Sequence, residues 1–371
     1  MKIQFSKPQL LGLIDSAIGF SADKSTMPIL ANFLIKNTAG KFSITANNME
    51  LQATAIADLG FAEDFAITLP AKKLKDSVAA LASDTFTLEL EGDGAAGGKA
   101  VLKGGKAKYT LQSLPAAHYP ILKRELDITS TFTVPTVEFN QALELVGFSQ
   151  AINDSRVFLN STLFELLNGE LRLVATDAHR LSRVVLSNEL FQDQLCSTIV
   201  PRATIAEISK LTKKTTVEMV TMQVVPGQVV FNIGNIEVIS KLIEGRYPDY
   251  GRVIPISNEY VCTVLAKDLA DAVKRVVVIG SDKLHTITFS FEENRLVLTV
   301  KNDAQELSVD EVAVAYSGPN IVMNFNVRYW LELLPRVEGN VTIALQSPDR
   351  AALVGVDNNK NFTHVIMPLR G

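Results

Sequence analysis

Between Val174 and Leu181 the chain sets Thr176, Asp177, His179 and Arg180, a hydroxyl, a carboxylate, an imidazole and a guanidinium within five residues. Residues of these types can make a nucleophile and its base, so a hydrolase built on Thr176, Asp177 and His179 is one reading. Two features count against it. Catalytic groups of this kind converge from distant parts of a chain, and no nucleophile elbow is present. The other reading is a polar bend in which Asp177 accepts hydrogen bonds from nearby backbone N–H groups.

The flanking elements decide between them. Glu170 to Val174 alternates like a strand with one buried face, and so does Leu181 to Leu186. Asn168-Gly169, between Leu163–Leu167 and Leu171–Ala175, is a strong hairpin signal. Ahead of it, Phe139, Ala142, Leu143 and Val146 recur at helical spacing. The same order occurs twice more. Leu10, Leu13, Ile14 and Ala17 precede strands around a turn at Asn37 to Gly40, and Ser6 with Gln9 forms a candidate capping box. Leu269, Ala272, Val273 and Val276 precede strands around Glu293-Asn294. Thr45 to Asn48, Val174 to Asp177 and Thr299 to Asn302 superpose at intervals of 129 and 125 residues. Each unit has a second half: Leu69-Pro70-Ala71, Val200-Pro201-Arg202 and Phe325-Asn326-Val327 each end a strand and begin a helix. The expected organisation is α+β, three similar domains (1–129, 130–258 and 259–371), each of two helix-plus-strands halves. His179 has Glu50 and roughly Ala304 as its equivalents, so the scaffold recurs and the chemistry does not.

Composition narrows the class. With 47% hydrophobic and 20% charged residues and a net charge of −4, the chain reads as an ordinary globular protein and not as a uniformly basic nucleic-acid binder. No apolar run reaches the roughly 18 residues of a membrane span, and the N-terminus lacks a signal-peptide core. Cys196 and Cys262 have no metal spacing and point to reduced thiols in a cytoplasmic protein. His118, His179, His285 and His364 show no metal pattern, and no cofactor is expected. Gly92 to Lys99 suggests a phosphate loop but lacks its first glycine and its final hydroxyl, so a hairpin loop is expected.

Three such domains, Ala175 to Leu181, the stretch Glu244-Gly245-Arg246-Tyr247-Pro248-Asp249-Tyr250 and the terminal Met367-Pro368-Leu369-Arg370 together resemble the bacterial DNA polymerase III beta subunit, the replicative sliding clamp family. The resemblance runs the length of the chain. It implies the DNA-clamp fold closing into a ring as a homodimer around double-stranded DNA, held without base readout. It also implies a non-enzymatic processivity factor. The partners implied are the DNA polymerase III alpha subunit, the clamp loader, and other polymerases and repair proteins carrying clamp-binding motifs.

Residue by residue, the resemblance places a partner-peptide groove at Leu159, Thr176, His179, Arg180, Leu181, Pro248, Arg252, Val253, Asn326, Tyr329, Val365, Ile366, Met367, Pro368, Leu369 and Arg370. Arg180 and His179 are expected to hold the polar end of the peptide by hydrogen bonds. DNA contacts are implied at Lys24, Asn153, Arg156 and Phe158, and the basic residues Lys72, Lys73 and Arg202 on helix starts suit phosphate attraction. The dimer edge is implied at Tyr109 and Leu111 on one side and Val278 and Ile279 on the other.

Overall fold

A computed structural model describes residues 1–22, 24–91, 97–188, 191, 195–280 and 286–369. Gly92 to Ala96, His285, Arg370 and Gly371 lie outside the described residues.

Among the described residues one pattern, strand–helix–three strands, occurs six times. The first repeat holds β1 (Lys2–Ser6), α1 (Lys7–Ala17), β2 (Asn32–Thr38), β3 (Lys41–Asn47) and β4 (Leu51–Asp58), then β5 (Phe65–Pro70), α2 (Ala71–Ala80), β6 (Thr85–Glu91), β7 (Gly98–Gly104) and β8 (Ala107–Ser113). In the second stand β9 (Ser130–Pro135), α3 (Thr136–Gly147), β10 (Ser161–Leu167), β11 (Glu170–Thr176) and β12 (Arg180–Ser187), then β13 (Cys196–Pro201), α4 (Arg202–Lys214), β14 (Met219–Val225), β15 (Gln228–Ile233) and β16 (Ile236–Lys241). The third has β17 (Tyr260–Leu265), α5 (Ala266–Val276), β18 (Thr286–Glu292), β19 (Arg295–Lys301) and β20 (Leu307–Ala313), then β21 (Ile321–Asn326), α6 (Val327–Leu333), β22 (Asn340–Leu345), β23 (Ala352–Val356) and β24 (Asn359–Ile366).

Local chemistry accounts for the boundaries. Asn168 and Gly169 have φ of 54° and 75°, and Ala39 and Gly40 of 51° and 80°, so two-residue turns of positive φ close both hairpins. At the corresponding turn of the third repeat Asn294 stands at φ 56°. The apolar stripe on α5 is buried as its spacing predicts, at Leu269, Ala272, Val273 and Val276. The expected capping box at α1 is absent: Ser6 makes no side-chain cap bond, and Pro8 in the first turn, which lacks an N–H, lessens the need for one.

In each repeat the halves interlock by lending their first strand. β1 joins β6-β7-β8 while β5 joins β2-β3-β4; β9 and β13 exchange likewise, as do β17 and β21. The chain forms two compact units. One comprises Met1–Val137 and Ala206–Leu242, the other Glu138–Ile205 and Ile243–Gly371. The first unit holds an eight-stranded sheet, β5-β2-β3-β4-β16-β15-β14-β9, and a four-stranded one, β1-β6-β7-β8. The second holds the eight-stranded β13-β10-β11-β12-β24-β23-β22-β17 and the four-stranded β20-β19-β18-β21. Each eight-stranded sheet is fused at one place, where β4 pairs with β16 and β12 with β24, both antiparallel. β8 and β20 hold the corresponding places in the four-stranded sheets and are edges.

Aromatic packing anchors both cores. In the first unit Phe5 contacts Phe42, Phe61 and Phe86 at centroid distances of 5.2–5.7 Å. In the second, Phe289 stacks on the fully buried Trp330 at 4.8 Å.

Candidate functional site

Thr176, Asp177 and Arg180 fold one tight turn upon itself. The Asp177 Oδ1 accepts the backbone N–H groups of His179 at 3.0 Å and Arg180 at 2.9 Å. The Thr176 hydroxyl donates to the Arg180 carbonyl at 2.6 Å, and its oxygen accepts from Ala178 N–H at 3.1 Å. Ala178 is held at φ 75°. None of these bonds joins Thr176 to the His179 ring: the hydroxyl is spent on the backbone, and the carboxylate on the backbone and the Arg180 side chain. Asn stands at this place in the other two repeats, with the same turn in the first and a longer one in the third. Asn48 Oδ1 accepts from Glu50 and Leu51 N–H with Met49 at φ 74°, and Asn302 Oδ1 accepts from Glu306 N–H with Gln305 at φ 65°. A geometry repeated with Asn in place of Asp belongs to the scaffold, which removes the hydrolase reading.

Residues 365–369 lie along this turn. β24 continues beside β12 with Leu181 opposite Val365 and Arg180 opposite Ile366. Beyond the strand, Met367 N–H donates to the His179 carbonyl at 2.8 Å and Leu369 N–H to the Asn324 carbonyl at 2.7 Å. Pro368, without an N–H, stands between them. Under the turn lies a buried apolar cluster of Leu163, Val174, Leu181, Ile199, Tyr247 and Val365, with Phe158, Tyr250, Ile254 and Leu353 packed against it. Leu159 is buried in the turn Val157–Asn160. Val253 and Met367 remain 42% and 38% exposed, while Pro248 and Arg252 are exposed. The Arg252 side chain pairs with Asp249 at 2.9 Å. Asn326 caps α6 by accepting from Arg328 N–H at 3.0 Å.

Arg180 is a finding against expectation. Its side chain is only 6% exposed and binds the protein itself. The guanidinium donates to Asp177 Oδ2 at 3.0 Å and to the Phe148 carbonyl at 2.6 Å, and pairs with Glu332 Oε2 at 2.6 Å. It also lies over the rings of Tyr329 and Phe148, at 4.5 and 5.3 Å. Burial pushes the Glu332 carboxyl up, but Arg328 and Arg180 outweigh it and hold the pKa below its ordinary value. Arg180 is therefore an organiser of the turn, not a free donor for a ligand. His179 is exposed.

Behind the turn, Ser149, Ser182 and His364 form a buried chain: the two hydroxyls are 2.8 Å apart, and Ser182 Oγ is 2.8 Å from His364 Nδ1. Burial and the nearby Arg180 push the His364 pKa down to about 3. Phe148, Glu332, Ser182 and His364 were not legible as site residues. For Ser182 and His364 the available signal was a polar side chain at an inward position of an alternating strand.

Lys24, Lys72 and Lys73 are exposed on the first unit. Asn153 takes φ 58°, and Arg156 forks onto Asp154 at 2.9 and 3.0 Å, holding that carboxyl down to about 2. The Phe158 ring stands edge-on to Tyr247 at 6.4 Å and so belongs partly to the apolar cluster. Arg202 is half-buried and donates to the Gln150 carbonyl at 3.1 Å. Tyr109 and Leu111 lie on β8; Val278 is 79% exposed, and Ile279 follows it after α5. Among the described residues no group of His, Cys, Asp and Glu could hold a metal.

Three family models match in order: the N-terminal, central and C-terminal domains of the DNA polymerase III beta subunit, over residues 1–123, 133–249 and 251–370. The chain belongs to the DNA polymerase III beta subunit family. It is 30% identical over 375 residues to the beta sliding clamp of Proteus mirabilis and 31% identical over 379 to that of Caulobacter vibrioides, each covering 100% of both chains. The structure of the Pseudomonas aeruginosa sliding clamp bound to griselimycin superposes with a TM-score of 0.93 at 28% identity, again over 100% of both chains. As a member of this family the chain is a sliding clamp of DNA replication and not an enzyme. Its three domains are beta-clamp domains of mixed helices and strands.

Proposed function

We propose that two copies of this beta subunit close head to tail into a ring around duplex DNA and hold polymerases there for processive synthesis. The unpaired edges carry the proposal. In both eight-stranded sheets the fusion has the same register, Leu51 opposite Ser240 and Arg180 opposite Ile366, where Leu51 and Arg180 occupy one position of the repeat. The third such pairing needs β20 and β8, and within one chain each of them is an open edge. An open strand edge is an invitation to pair. The register carried over sets Tyr109 opposite the partner subunit's Ser308, and both positions are half-buried, so their faces match. Val278 and Ile279 complete that contact. A heterologous contact of this kind closes when its rotation does.

The working units of the ring are the domains 1–129, 130–258 and 259–371. Lys24, Lys72, Lys73, Asn153, Arg156, Phe158 and Arg202 face the DNA, whose phosphates attract them without reading sequence. The groove beside Leu181, Val253 and Met367 takes short linear motifs of the polymerase III alpha subunit, the clamp loader, and other polymerases and repair proteins. Burying one or two large apolar side chains there contributes roughly 1.5–3 kcal/mol each. Ordering the peptide offsets much of this, which gives micromolar affinity. No described helix is long and apolar enough to cross a membrane, and replication places the protein in the cytoplasm.

The test is a Tyr109→Cys, Ser308→Cys variant. Oxidised, it should run as a covalent dimer; loaded on nicked circular DNA it should survive high salt, and leave once the DNA is linearised. Equal retention on circular and linear DNA would rule out encirclement.

A further inference from the structure

The two fusions inside the chain are built alike and finished differently. At the first, Asn47 and Gln52 occupy the repeat positions held by Thr176 and Leu181 at the second. Ile239 and Val230 stand where Val365 and Leu353 stand, because Gln52 pairs with Ile239 as Leu181 pairs with Val365. Both side chains at the first fusion are polar and buried, Asn47 at 0% and Gln52 at 4% exposure. Each grips the connecting segment that follows Tyr119. Asn47 Nδ2 donates to the Pro120 carbonyl at 2.9 Å. Gln52 holds both backbone groups of one residue: its Oε1 accepts from Leu122 N–H at 2.9 Å, and its Nε2 donates to the Leu122 carbonyl at 3.5 Å. So fixed, the Leu122 side chain is buried against Val230 and Ile239.

At the second fusion the side chains of Thr176 and Leu181, in the places of Asn47 and Gln52, do not grip the connection. Leu181 has no amide, and the Thr176 hydroxyl is used within its own turn. Tyr250, at the place of Leu122, sends its hydroxyl to Glu165 at 2.6 Å. The apolar floor of Leu181, Leu353 and Val365 is left beside the exposed edges of Val253 and Met367.

We propose that Asn47 and Gln52 determine that each chain has one peptide groove instead of two: they latch the segment 119–122 into a second, repeat-related groove with Leu122 as its resident apolar anchor. The reading rests on the groove assigned above. A buried amide that satisfies both backbone groups of a residue fixes it in place, and an apolar side chain cannot.

Titration calorimetry with the acetylated pentapeptide Gln-Leu-Val-Leu-Phe separates the possibilities. The full chain should bind one peptide per chain, and a folded Gln52→Leu, Leu122→Ala variant two. Removing residues 367–371 from that variant should return the count to one. If the parent and the variant both bind one, the latch is overturned. If the parent binds none, the groove itself fails, and the latch stands or falls on amide exchange. In Gln52→Leu the Leu122 amide should exchange at least tenfold faster while amides of β4 and β16 are unchanged; an unchanged Leu122 amide overturns the proposal.

Discussion

The Arg180 guanidinium lies 4.5 Å from the centre of the Tyr329 ring and 2.6 Å from the Glu332 carboxylate, so one buried cation ties the turn Thr176–Arg180 to α6. The edge of the candidate groove is thereby fixed from two elements about 150 residues apart in the chain.

Replacing that cation should be costly. Arg180→Ala removes the cation shared by Asp177 and Glu332 but leaves Asp177 its backbone donors and Glu332 its Arg328, and should cost roughly 1–3 kcal/mol. Arg180→Lys keeps the charge but not the planar fork, and should recover only part of the loss. Urea unfolding measures both; a change below about 1 kcal/mol for Arg180→Ala would mean water replaces the guanidinium without penalty.

The tail should matter for binding and little for folding. Ile366 is a fully buried strand residue, so the informative cut falls after it and removes Met367 onward. Peptide affinity should drop at least tenfold, about 1.4 kcal/mol, with the circular dichroism spectrum retained. Binding that survives the cut would move the groove elsewhere.

At the open edge, Ile279→Asp should convert the dimer to a monomer, because closing the contact would bury an unpaired carboxylate. Light scattering at micromolar concentration reads this directly, and a dimeric mutant would place the interface on other residues.

His364 should make stability fall with acid. Its folded pKa of about 3 lies below the ordinary 6.5, so the unfolded chain takes up the proton first as pH falls. The contribution is therefore complete above about pH 6.5 and is lost on descending toward pH 3, with a slope approaching about 1.4 kcal/mol per pH unit. His364→Asn keeps a partner for Ser182 and removes the titration. Its urea midpoint should fall less than the parent's between pH 7 and pH 4.5; parallel curves would exclude His364 as the cause.

Much was legible in the sequence because it is local. Asn168-Gly169, the stripe on α5 and the strand-to-helix steps at Pro70 and Pro201 each act within a few residues, and threefold repetition made the clamp architecture readable without any long-range contact. Asp177 could be read as a turn-maker for the same reason: its bonds reach two and three residues onward. The role of Arg180 in holding the turn was not legible, since Phe148, Tyr329 and Glu332 surround it only after the strands have paired. The latch of Gln52 on Leu122 was hidden similarly, 70 residues away in sequence. By itself the sequence determined the repeat, its turns and its buried faces, which follow from backbone preference and hydrophobic period. Only the tertiary structure decided which polar groups are consumed inside the protein and which stay free for a partner, because burial and pairing depend on what distant segments bring to the same place.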